Sequence, residues 1–282
     1  MTWLQTKQHD NGLTYLEVNT ALCQAKIYLQ GAQITEFKPS NQASLLWVSS
    51  ANDYQPGISI RGGIPICWPW FGQSTQENWP AHGFARTKLW HVEASLLEHD
   101  IAIITLALSP QEFDCEYWPY KTQIRVKFEL GKSLRVSLIN QNLDTQAITL
   151  TQALHSYFPI DDIHQLKARG FLGSDFIEFA KGPFNQESDT VRFDRETDRV
   201  YANLPPVQYL ESTQGTIEVR RAQSQSAVLW NPWIEKSKRL SRFLNQDYQQ
   251  MVCLEAANVR EDSITLAPNE QHTLMTEIRW KE

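Results

Sequence analysis

Short segments in which apolar and polar residues alternate recur along almost the whole chain, and no other feature limits its fold so strongly. A period of two places successive side chains on opposite faces of an extended strand. The connections Gly131-Lys132 and Gln214-Gly215 are typical of hairpin turns that need a positive φ, so we predict antiparallel pairing. The predicted strand segments are LTYLEV (13–18), ALCQAKIYL (21–29), SLLWV (44–48), IAIITLAL (101–108), TQIRVKFEL (122–130), SLRVSLINQN (133–142), AITLTQALHSYF (147–158), TIEVRR (216–221), SAVLW (226–230), MVCLEA (251–256), SITLAP (263–268) and HTLMTEIRW (272–280).

Only one segment favours a helix: IEKSKRLSRF, residues 234–243, has some apolar residues at helical spacing. So many strands with almost no helices between them exclude a parallel βαβ architecture and predict an all-β sandwich or barrel of two large antiparallel sheets. At 282 residues such a fold is often a single domain, which we predict for residues 1–282. The stretch KGPFNQESD, residues 181–189, is predicted to be an exposed loop.

The composition excludes several classes of protein. Hydrophobic residues at 41% and charged residues at 21% describe an ordinary globular chain, not a disordered one. The net charge of −6 supplies no broad cationic surface for nucleic acid, so any anion that binds should be small and met by a local cluster of cations. The start, MTWLQTKQHD, lacks the apolar core of a signal peptide, and no segment is long enough to cross a bilayer. We therefore expect a cytoplasmic protein with no membrane partner.

The four cysteines, Cys23, Cys67, Cys115 and Cys253, lie far apart and form no CxxC pair. This spacing indicates neither a zinc site nor a disulfide framework, so we predict no metal and reduced, mostly buried thiols. Most of the ten tryptophans are predicted to pack in the core or at sheet edges rather than to bind a ligand.

The segment RGGIPICWPWFG, residues 61–72 and here called the RGG loop, has neither helical nor strand period. Gly62 and Gly63 permit backbone conformations closed to other residues, and two prolines fix φ and remove donors, so we predict a rigid, shaped loop. Arg61 stands at its entrance, where a guanidinium suits bidentate capture of a carboxylate or phosphate. Taken alone, this residue is better explained as a surface arginine.

A second segment, PAHGFAR at residues 80–86 and here called the HGFAR loop, brings a histidine and another arginine. If both loops line one face, Arg61 and Arg86 converge on one dianion, and His82 donates a hydrogen bond beside them. A lone histidine before a glycine is otherwise an ordinary turn residue.

Two residues in strand segments are candidates for proton transfer. His155 shares a strand face with Ala153 and Tyr157, and an imidazole titrates near neutrality, as an acid or base at that pH must. The alternative is a hydrogen-bonded core histidine. Glu255 in MVCLEAAN is predicted to be buried, which would raise its pKa and make it a better proton acceptor. The alternative is a buried salt bridge with Arg260.

Two further motifs carry polar or aromatic side chains. Asp198 in ETDRVY follows a charged loop and, by itself, is a turn aspartate or a partner of Arg199. The unit WNPW, residues 230–233, shares the proline and tryptophan content of the RGG loop. It is predicted to form another wall of the same cleft or a rigid corner of the sandwich.

Taken in order, these motifs resemble those of the aldose 1-epimerase superfamily, specifically its hexose-6-phosphate branch. The resemblance runs from about residue 58 to residue 258 and rests on IRGGIPICWPWFG, AHGFAR, LHSYF, ETDRVY, VLWNPW and CLEAAN. It implies a large, galactose mutarotase-like antiparallel β-sandwich and a reaction without metal or cofactor. It also implies that His155 is the general acid and Glu255 the general base, and that Arg61 and Arg86 bind a phosphate.

The resemblance implies two further contacts and is incomplete at a third. His82 and Asp198 occupy positions similar to the family's contacts with sugar hydroxyls. Members often carry Phe and Gln where this chain has Trp68 and Trp70, so the contacts of that glutamine do not transfer. We expect Gln73 to take its place.

The function that the resemblance implies is that of a monomeric hexose-6-phosphate mutarotase, whose partner is a small-molecule sugar phosphate. Such an isomerase interconverts the α and β anomers of glucose 6-phosphate by acid and base catalysis of ring opening and closure. The residues leave three alternatives open. They are a non-catalytic carbohydrate-binding protein, a sugar-phosphate-sensing protein, and a glycoside hydrolase that uses Glu255 with Asp198.

Overall fold

Strands make up nearly all of the regular structure in the computed structural model, which describes residues 2–108 and 116–281. The strands are β1 (Leu4–Gln8), β2 (Thr14–Asn19), β3 (Cys23–Tyr28), β4 (Gln33–Pro39), β5 (Ile66–Cys67), β6 (His91–Glu98), β7 (Ile101–Leu108), β8 (Thr122–Leu130), β9 (Leu134–Asn142), β10 (Ile148–Leu150), β11 (Gln152–Leu154), β12 (Tyr157–Pro159), β13 (Lys167–Arg169), β14 (Asp175–Glu178), β15 (Lys181–Asn185), β16 (Thr190–Val191), β17 (Thr197–Ala202), β18 (Val207–Ser212), β19 (Gly215–Ala222), β20 (Ser226–Asn231), β21 (Met251–Asn258), β22 (Ile264–Leu266) and β23 (Gln271–Trp280). The helical elements of these residues are α1 (Trp233–Ser237) and 3-10 turns at Ala85–Thr87, Asp247–Gln250 and Arg260–Asp262. Across the same residues no helix is both long and apolar enough to span a membrane.

Two large antiparallel sheets form a sandwich, so the predicted fold class is confirmed. Within the described residues, the nine-stranded sheet runs in the order β16-β13-β18-β19-β23-β9-β8-β7-β6. The eight-stranded sheet runs in the order β15-β14-β17-β20-β21-β11-β5, with β12 also paired to β21. β11 and β21 pack against β23, and buried side chains fill the space between the sheets. β1 to β4 form a separate sheet, and β10 pairs with β22.

Strict alternation of side chains explains why the nine-stranded sheet has one apolar face. In β8, every second residue is fully buried and the residues between are partly exposed. The buried set is Thr122, Ile124, Val126, Phe128 and Leu130. Burying one such apolar side chain contributes roughly 1.5–3 kcal/mol, so the face of β8 towards the other sheet is strongly specified.

Both predicted hairpins are present, but only one turn uses a positive φ. Gly215 begins β19 at a φ of 133°, in the region that favours glycine, and pairs with Ser212 across the turn. Between β8 and β9, Gly131 lies outside that region and donates its N–H to the Ser133 carbonyl at 3.0 Å. The positive φ expected at Gly131 is therefore wrong, because the connection is long enough to bend without it.

The segment SLLWV, residues 44–48, is not a strand, although both of its leucines are buried. Its backbone hydrogen bonds do not form a strand ladder. Trp47 donates its N–H to the Tyr157 carbonyl and accepts a hydrogen bond from the N–H of Gly63. The segment thus joins β12 to the RGG loop instead of extending a sheet.

Two other segments differ from the sequence prediction. The helix predicted over residues 234–243 ends at Ser237, and turns follow it up to Arg242, whose φ is 53°. The start of the loop predicted over residues 181–189 forms β15, because residues 181–185 pair with β14. β15 is nevertheless exposed along its whole length, as the loop was expected to be.

The RGG loop is tied to both large sheets by a buried chain of hydrogen bonds. Trp68 is fully buried, and its Nε1 donates to Asn140 Oδ1 on β9 at 2.6 Å. Asn140 donates to Gln152 on β11 at 2.7 Å, and Gln152 donates to Asn258 on β21 at 2.9 Å. A fully satisfied buried network of this kind favours one arrangement of the loop.

Gly63 lets the RGG loop pass close to β4. Its φ is 64°, and a Cβ added there would lie 2.1 Å from the carbonyl oxygen of Ile34. Gly62 also has a positive φ, 117°, and a Cβ there would lie 2.5 Å from the Trp47 carbonyl oxygen. Both glycines therefore take the conformations that the loop prediction required.

Replacing Gly63 with alanine should destabilise the fold strongly. The methyl group would have to displace backbone, so we expect a loss of about 3 kcal/mol or more in the free energy of unfolding. Gly12→Ala is the matched control, because Gly12 has a φ of 91° but nothing lies within 4 Å of an added Cβ. Its expected cost is about 1 kcal/mol. Urea unfolding compares the two variants, and equal losses would contradict the close approach at Gly63.

Three of the four cysteines lie in described residues. Cys23, Cys67 and Cys253 are free and buried, as expected. Cys115 lies outside the described residues.

Candidate active site

Strand β21 brings a histidine and a glutamate together. It pairs with β11 through residues 256–258 and with β12 through residues 251–253, so Glu255 lies opposite the break between these two short strands. His155 occupies that break. As a result, His155 Nε2 lies 3.4 Å from Glu255 Oε1.

Each member of this pair has one polar atom without a hydrogen-bond partner among the described residues. These atoms are His155 Nδ1 and Glu255 Oε2. Both side chains are buried, with 9% of His155 and 1% of Glu255 exposed. Buried polar atoms nearly always have a hydrogen-bond partner. Two such atoms without a partner on adjacent side chains indicate that a ligand supplies the missing hydrogen bonds.

The surroundings of the pair shift both pKa values in the direction that favours the neutral form of each side chain. Burial lowers the pKa of His155 well below 6.5, and positively charged side chains near it lower it further. Burial raises the pKa of Glu255 well above 4.5, and the negative charge of Asp198 adds to the effect. Both shifts favour the uncharged forms, a neutral imidazole and a protonated carboxyl.

Aromatic rings hold the imidazole from two sides. His155 stacks on Tyr157, with ring centroids 4.8 Å apart and an interplanar angle of 11°. The two rings thus share a face, as the strand period predicted. Trp230 meets both rings edge-on, at 6.2 Å from His155 and 6.3 Å from Tyr157. The WNPW unit therefore forms a wall beside the pair.

Arg61 reaches the same face from the entrance of the RGG loop. Its backbone N–H donates to Asn52 Oδ1 at 2.8 Å, which fixes the start of the loop. Its Nη1 lies 3.5 Å from the Tyr157 hydroxyl, and its Nη2 lies 3.4 Å from the Ser241 carbonyl oxygen. Neither contact is an ion pair, so the guanidinium keeps its positive charge available to an anion.

The HGFAR loop places a second arginine beside His82. Arg86 Nη2 donates to the Ala81 carbonyl at 2.7 Å. His82 adopts a φ of 63°, and its Nδ1 accepts a hydrogen bond from the Gly72 N–H at 3.3 Å. The neutral ring therefore carries its hydrogen on Nε2 and can donate it to a ligand. The same ring meets His155 edge-on at 5.8 Å.

Three cations act on this cavity. Burial is the main cause that lowers the pKa of His82 to about 3, and the other causes are the charges of Arg86, Arg61 and Lys236. Arg86 and Arg61 also lower the pKa of His155. Charge interactions weaken with distance, so the charges of these side chains act near the two histidines. The charges of both candidate arginines thus act on His82, and Lys236 adds a third.

Asp198 lies on β17 opposite Trp230 of β20, and Lys236 of α1 covers both residues. Lys236 Nζ is 3.4 Å from Asp198 Oδ2, 3.1 Å from Glu196 Oε1 and 5.8 Å from the centre of the Trp230 ring. Burial raises the pKa of Asp198, although the charge of Lys236 opposes the shift. Asp198 is thus a half-buried carboxyl held in place by a lysine.

The two arginines considered as local ion-pair partners are not paired as proposed. Arg199 Nε donates to Glu178 at 2.9 Å, not to Asp198. Arg260 is exposed in a 3-10 turn and forms no ion pair with Glu255 in the described part of the chain. Both local ion-pair alternatives are therefore wrong.

Gln73 stays outside this arrangement. It is exposed, and its side chain makes no hydrogen bond within residues 2–108 and 116–281. Trp70, at the position of the family's glutamine, turns towards the HGFAR loop, where its Nε1 donates to the Pro80 carbonyl at 2.9 Å and its ring lies 5.2 Å from Trp79. The structure gives Gln73 no contact with the other candidates.

Tyr157 and Lys236 also lie at this site, although the sequence motifs do not mark them as functional. Tyr157 follows His155 by two positions on the same face, and that period was a usable signal. Lys236 lies in a short charged helix, where nothing in the local sequence sets it apart.

Together these side chains can move protons on a small anionic ligand. His155 and Glu255 provide a proton donor and acceptor, Arg61 and Arg86 provide positive charge, and His82 provides a hydrogen-bond donor. Among the described residues, no group of three His, Cys, Asp or Glu side chains is placed to hold a metal ion.

A large antiparallel sandwich of this kind is the architecture of galactose mutarotase-like proteins. The chain belongs to the aldose 1-epimerase family, whose sequence model matches residues 15–279. The match spans both large sheets and every residue of the cavity.

Relatives and a solved structure resemble nearly the whole chain. A protein from Cenchrus ciliaris, described as "Putative glucose-6-phosphate 1-epimerase", is 36% identical over 262 residues, which cover 88% of this chain and 79% of that protein. A protein from Salmonella typhimurium with the same description is 32% identical over 258 residues, covering 89% and 85%. The crystal structure of a "putative mutarotase" from Salmonella typhimurium matches with a TM-score of 0.91 at 29% identity, covering 99% of this chain and 94% of that one.

Glu255→Gln should stabilise the protein at neutral pH. The native carboxyl keeps its proton above its ordinary pKa of 4.5, so folding above that pH takes up a proton and stability falls as the pH rises towards the raised value. Glutamine has the same shape and no charge, and the contribution of His155 is common to both proteins. We expect similar melting temperatures near pH 4 and a variant that melts several degrees higher at about pH 7 to 8. A variant that is no more stable across this range in thermal unfolding would contradict the raised pKa.

Proposed function

We propose that the protein is a hexose-6-phosphate mutarotase that interconverts the α and β anomers of glucose 6-phosphate. The observation that carries the proposal is the buried contact of 3.4 Å between His155 Nε2 and Glu255 Oε1, with an unpartnered atom on each side chain among the described residues. A cyclic hemiacetal offers the matching groups, because its C1 hydroxyl gives up a proton and its ring oxygen accepts one. The description of the relatives as glucose-6-phosphate 1-epimerases supports a phosphorylated hexose as the substrate.

Ring opening requires two proton transfers at neighbouring oxygens. Glu255 removes the proton of the C1 hydroxyl, and His155 gives a proton to the ring oxygen as its bond to C1 breaks and C1 becomes an aldehyde. After rotation about the C1–C2 bond, the two groups reverse these transfers and the ring closes on its other face. No atom is gained or lost, and each transfer contributes a factor of about 10² to 10⁴ in rate.

The pair must hold its proton on the imidazole when the ring opens. In the unliganded protein the raised pKa of Glu255 and the lowered pKa of His155 both favour the carboxyl as its place instead. The two atoms are 3.4 Å apart, a distance that closes to a hydrogen bond when a catalytic site tightens on its substrate. Substrate binding therefore has to move the proton across this contact.

Arg61 and Arg86 bind the phosphate group in this proposal. A guanidinium binds phosphate through two parallel N–H donors, and neither arginine is committed to a carboxylate in the contacts described above. Holding the far end of the sugar supplies binding energy that positions C1 between the acid and the base.

The sugar hydroxyls are bound by His82 and Asp198. His82 donates through Nε2, because its Nδ1 already accepts from a backbone N–H. Asp198 accepts, and Lys236 at 3.4 Å keeps its carboxylate oriented. The indole of Trp230, which is 8% exposed, offers a narrow apolar surface to one face of the sugar ring.

The proposed enzyme is a monomer with one domain over residues 1–282. Every proposed site residue comes from the same chain, and one cluster of buried side chains extends through both large sheets. We also propose a cytoplasmic location, because a phosphorylated hexose is charged and does not cross membranes unaided.

His155→Ala and Glu255→Gln should each lower the protein-dependent exchange between the anomers of glucose 6-phosphate by about 10²-fold or more. NMR exchange spectroscopy on the anomeric protons measures the rate, and circular dichroism checks the fold. A folded variant with a near-native rate would remove that residue from the mechanism. A wild-type protein that binds the sugar phosphate without accelerating exchange would identify a sensing or carbohydrate-binding protein instead.

Arg61→Gln and Arg86→Gln should weaken the use of hexose 6-phosphates far more than that of free hexoses. A hydrogen bond to a charged group contributes about 1.5–3 kcal/mol, which corresponds to roughly a 10- to 100-fold rise in KM for the phosphorylated sugar. Arg220→Gln is the matched control, because Arg220 is an exposed arginine on β19 of the nine-stranded sheet. Equal losses for glucose 6-phosphate and glucose would argue against a phosphate site at these arginines.

A further inference from the structure

The phosphate-binding arginines lie close to the pair that moves the protons. Arg61 Nη1 is 3.5 Å from the Tyr157 hydroxyl, and the Tyr157 ring stacks on His155 at 4.8 Å. On the other side, the ring of His82 meets His155 at 5.8 Å and lies within the field of Arg86. Arg61 is therefore connected to the imidazole through one intervening ring, and the charge of Arg86 acts on both histidines.

In the unliganded protein, these cations oppose a protonated imidazole. A charged His155 would be a third positive charge in a space that is largely closed to water. Burial is the main cause that lowers the pKa of His155, followed by His82 and then by the charges of Arg86 and Arg61. Burial and these charges together favour the proton of the pair on Glu255, where it blocks the base and leaves His155 without a proton to give to the ring oxygen.

We propose that the phosphate of the substrate switches the pair on: by neutralising the two arginines, it lets the proton move from Glu255 to His155. This inference rests on the function proposed above. The proton leaves Glu255 Oε1 and arrives at His155 Nε2 across their 3.4 Å contact, so no further donor takes part. A dianion brings two negative charges to two guanidinium groups, and charge interactions in a buried site are weakly screened.

The other titratable groups around the pair are uncharged or paired with an opposite charge in the unliganded protein. They are Tyr157 on β12, Cys67 on β5, Cys253 on β21, His82 in the HGFAR loop, Asp198 on β17 and Lys236 on α1. Burial raises the pKa of the tyrosine and of both thiols, which keeps them neutral. The neighbouring histidine is neutral with a pKa of about 3, and the aspartate and lysine offset each other at 3.4 Å. The arginines remain as the charges that a ligand neutralises.

A separate dianion should therefore activate the protein towards a sugar that carries no phosphate. Free glucose presents the hemiacetal but leaves both arginines without an anion. Sulfate can occupy their site without contacting C1, and it stays a dianion across the neutral pH range. It is also a very weak base, so it does not replace Glu255 as the proton acceptor.

Anomer exchange of free glucose, measured by NMR in sodium sulfate and in sodium chloride of equal ionic strength, tests the proposal. We expect sulfate to raise the protein-dependent rate saturably and about tenfold or more, since one pKa unit changes a ratio of protonation states tenfold. The double variant Arg61→Gln/Arg86→Gln should lose the activation, and the control Arg220→Gln should keep it. Over the same concentrations, sulfate should inhibit the exchange of glucose 6-phosphate competitively.

The ¹⁵N resonances of the His155 imidazole give a readout that does not depend on turnover. They are assigned by their absence in His155→Gln. At about pH 7, we expect them to shift from the neutral to the protonated form as sulfate is added to the wild type, and not in the double arginine variant. An imidazole that stays neutral at saturating sulfate would overturn the inference.

The outcomes separate this inference from the proposed function. If the wild type does not accelerate the exchange of glucose 6-phosphate, the proposed function fails and the imidazole titration still decides the inference. If the wild type does accelerate it, and sulfate inhibits this reaction without accelerating the exchange of free glucose, the proposed function stands and the inference is overturned.

Discussion

The pairing of β21 with two short strands placed end to end is the constraint on which the whole site depends. A single continuous partner would have drawn residue 155 into the ladder, whereas the break between β11 and β12 places His155 3.4 Å from Glu255. The break costs little backbone bonding, because the Leu254 N–H still donates to the Ser156 carbonyl at 3.2 Å. Two groups that each prefer the neutral state are thereby buried on a rigid sheet, and their unfilled hydrogen bonds are left for a ligand.

Sequence periodicity predicted the fold where one face of a strand is buried and the other is not. β8 and β9 meet that condition and match the predicted segments. β6 does not, because all of its residues are exposed; its first six residues, HVEASL, do alternate, but the sequence analysis did not predict a strand there. The strand prediction for SLLWV, residues 44–48, failed for the opposite reason. Its leucines are buried, but its backbone hydrogen bonds go to β12 and the RGG loop. An apolar pattern reports burial, whereas pairing depends on segments far away in the chain.

The site could be predicted where one motif put a polar residue into apolar or rigid surroundings. Arg61, His155 and Glu255 met that condition, and the structure brings them to one cavity. Lys236 did not, because its place arises from a contact with an acid 38 positions earlier on another element. Gln73 shows the converse, since it follows the RGG loop directly and yet remains exposed. Residues that are close in sequence need not be close in space in a β-sandwich, because loops from distant strands supply the polar groups of the site.

The chain of buried amides behind Trp68 has a consequence for how quickly the protein can work. A loop tied to β9, β11 and β21 through Asn140, Gln152 and Asn258 cannot swing aside as a lid and close again over each sugar. The site is preorganised before the substrate binds. The product is an isomer of the same size and charge, so it can leave by the route through which the substrate entered. Substrate binding and product release, rather than a rearrangement of this loop, then set the upper limit of the turnover rate.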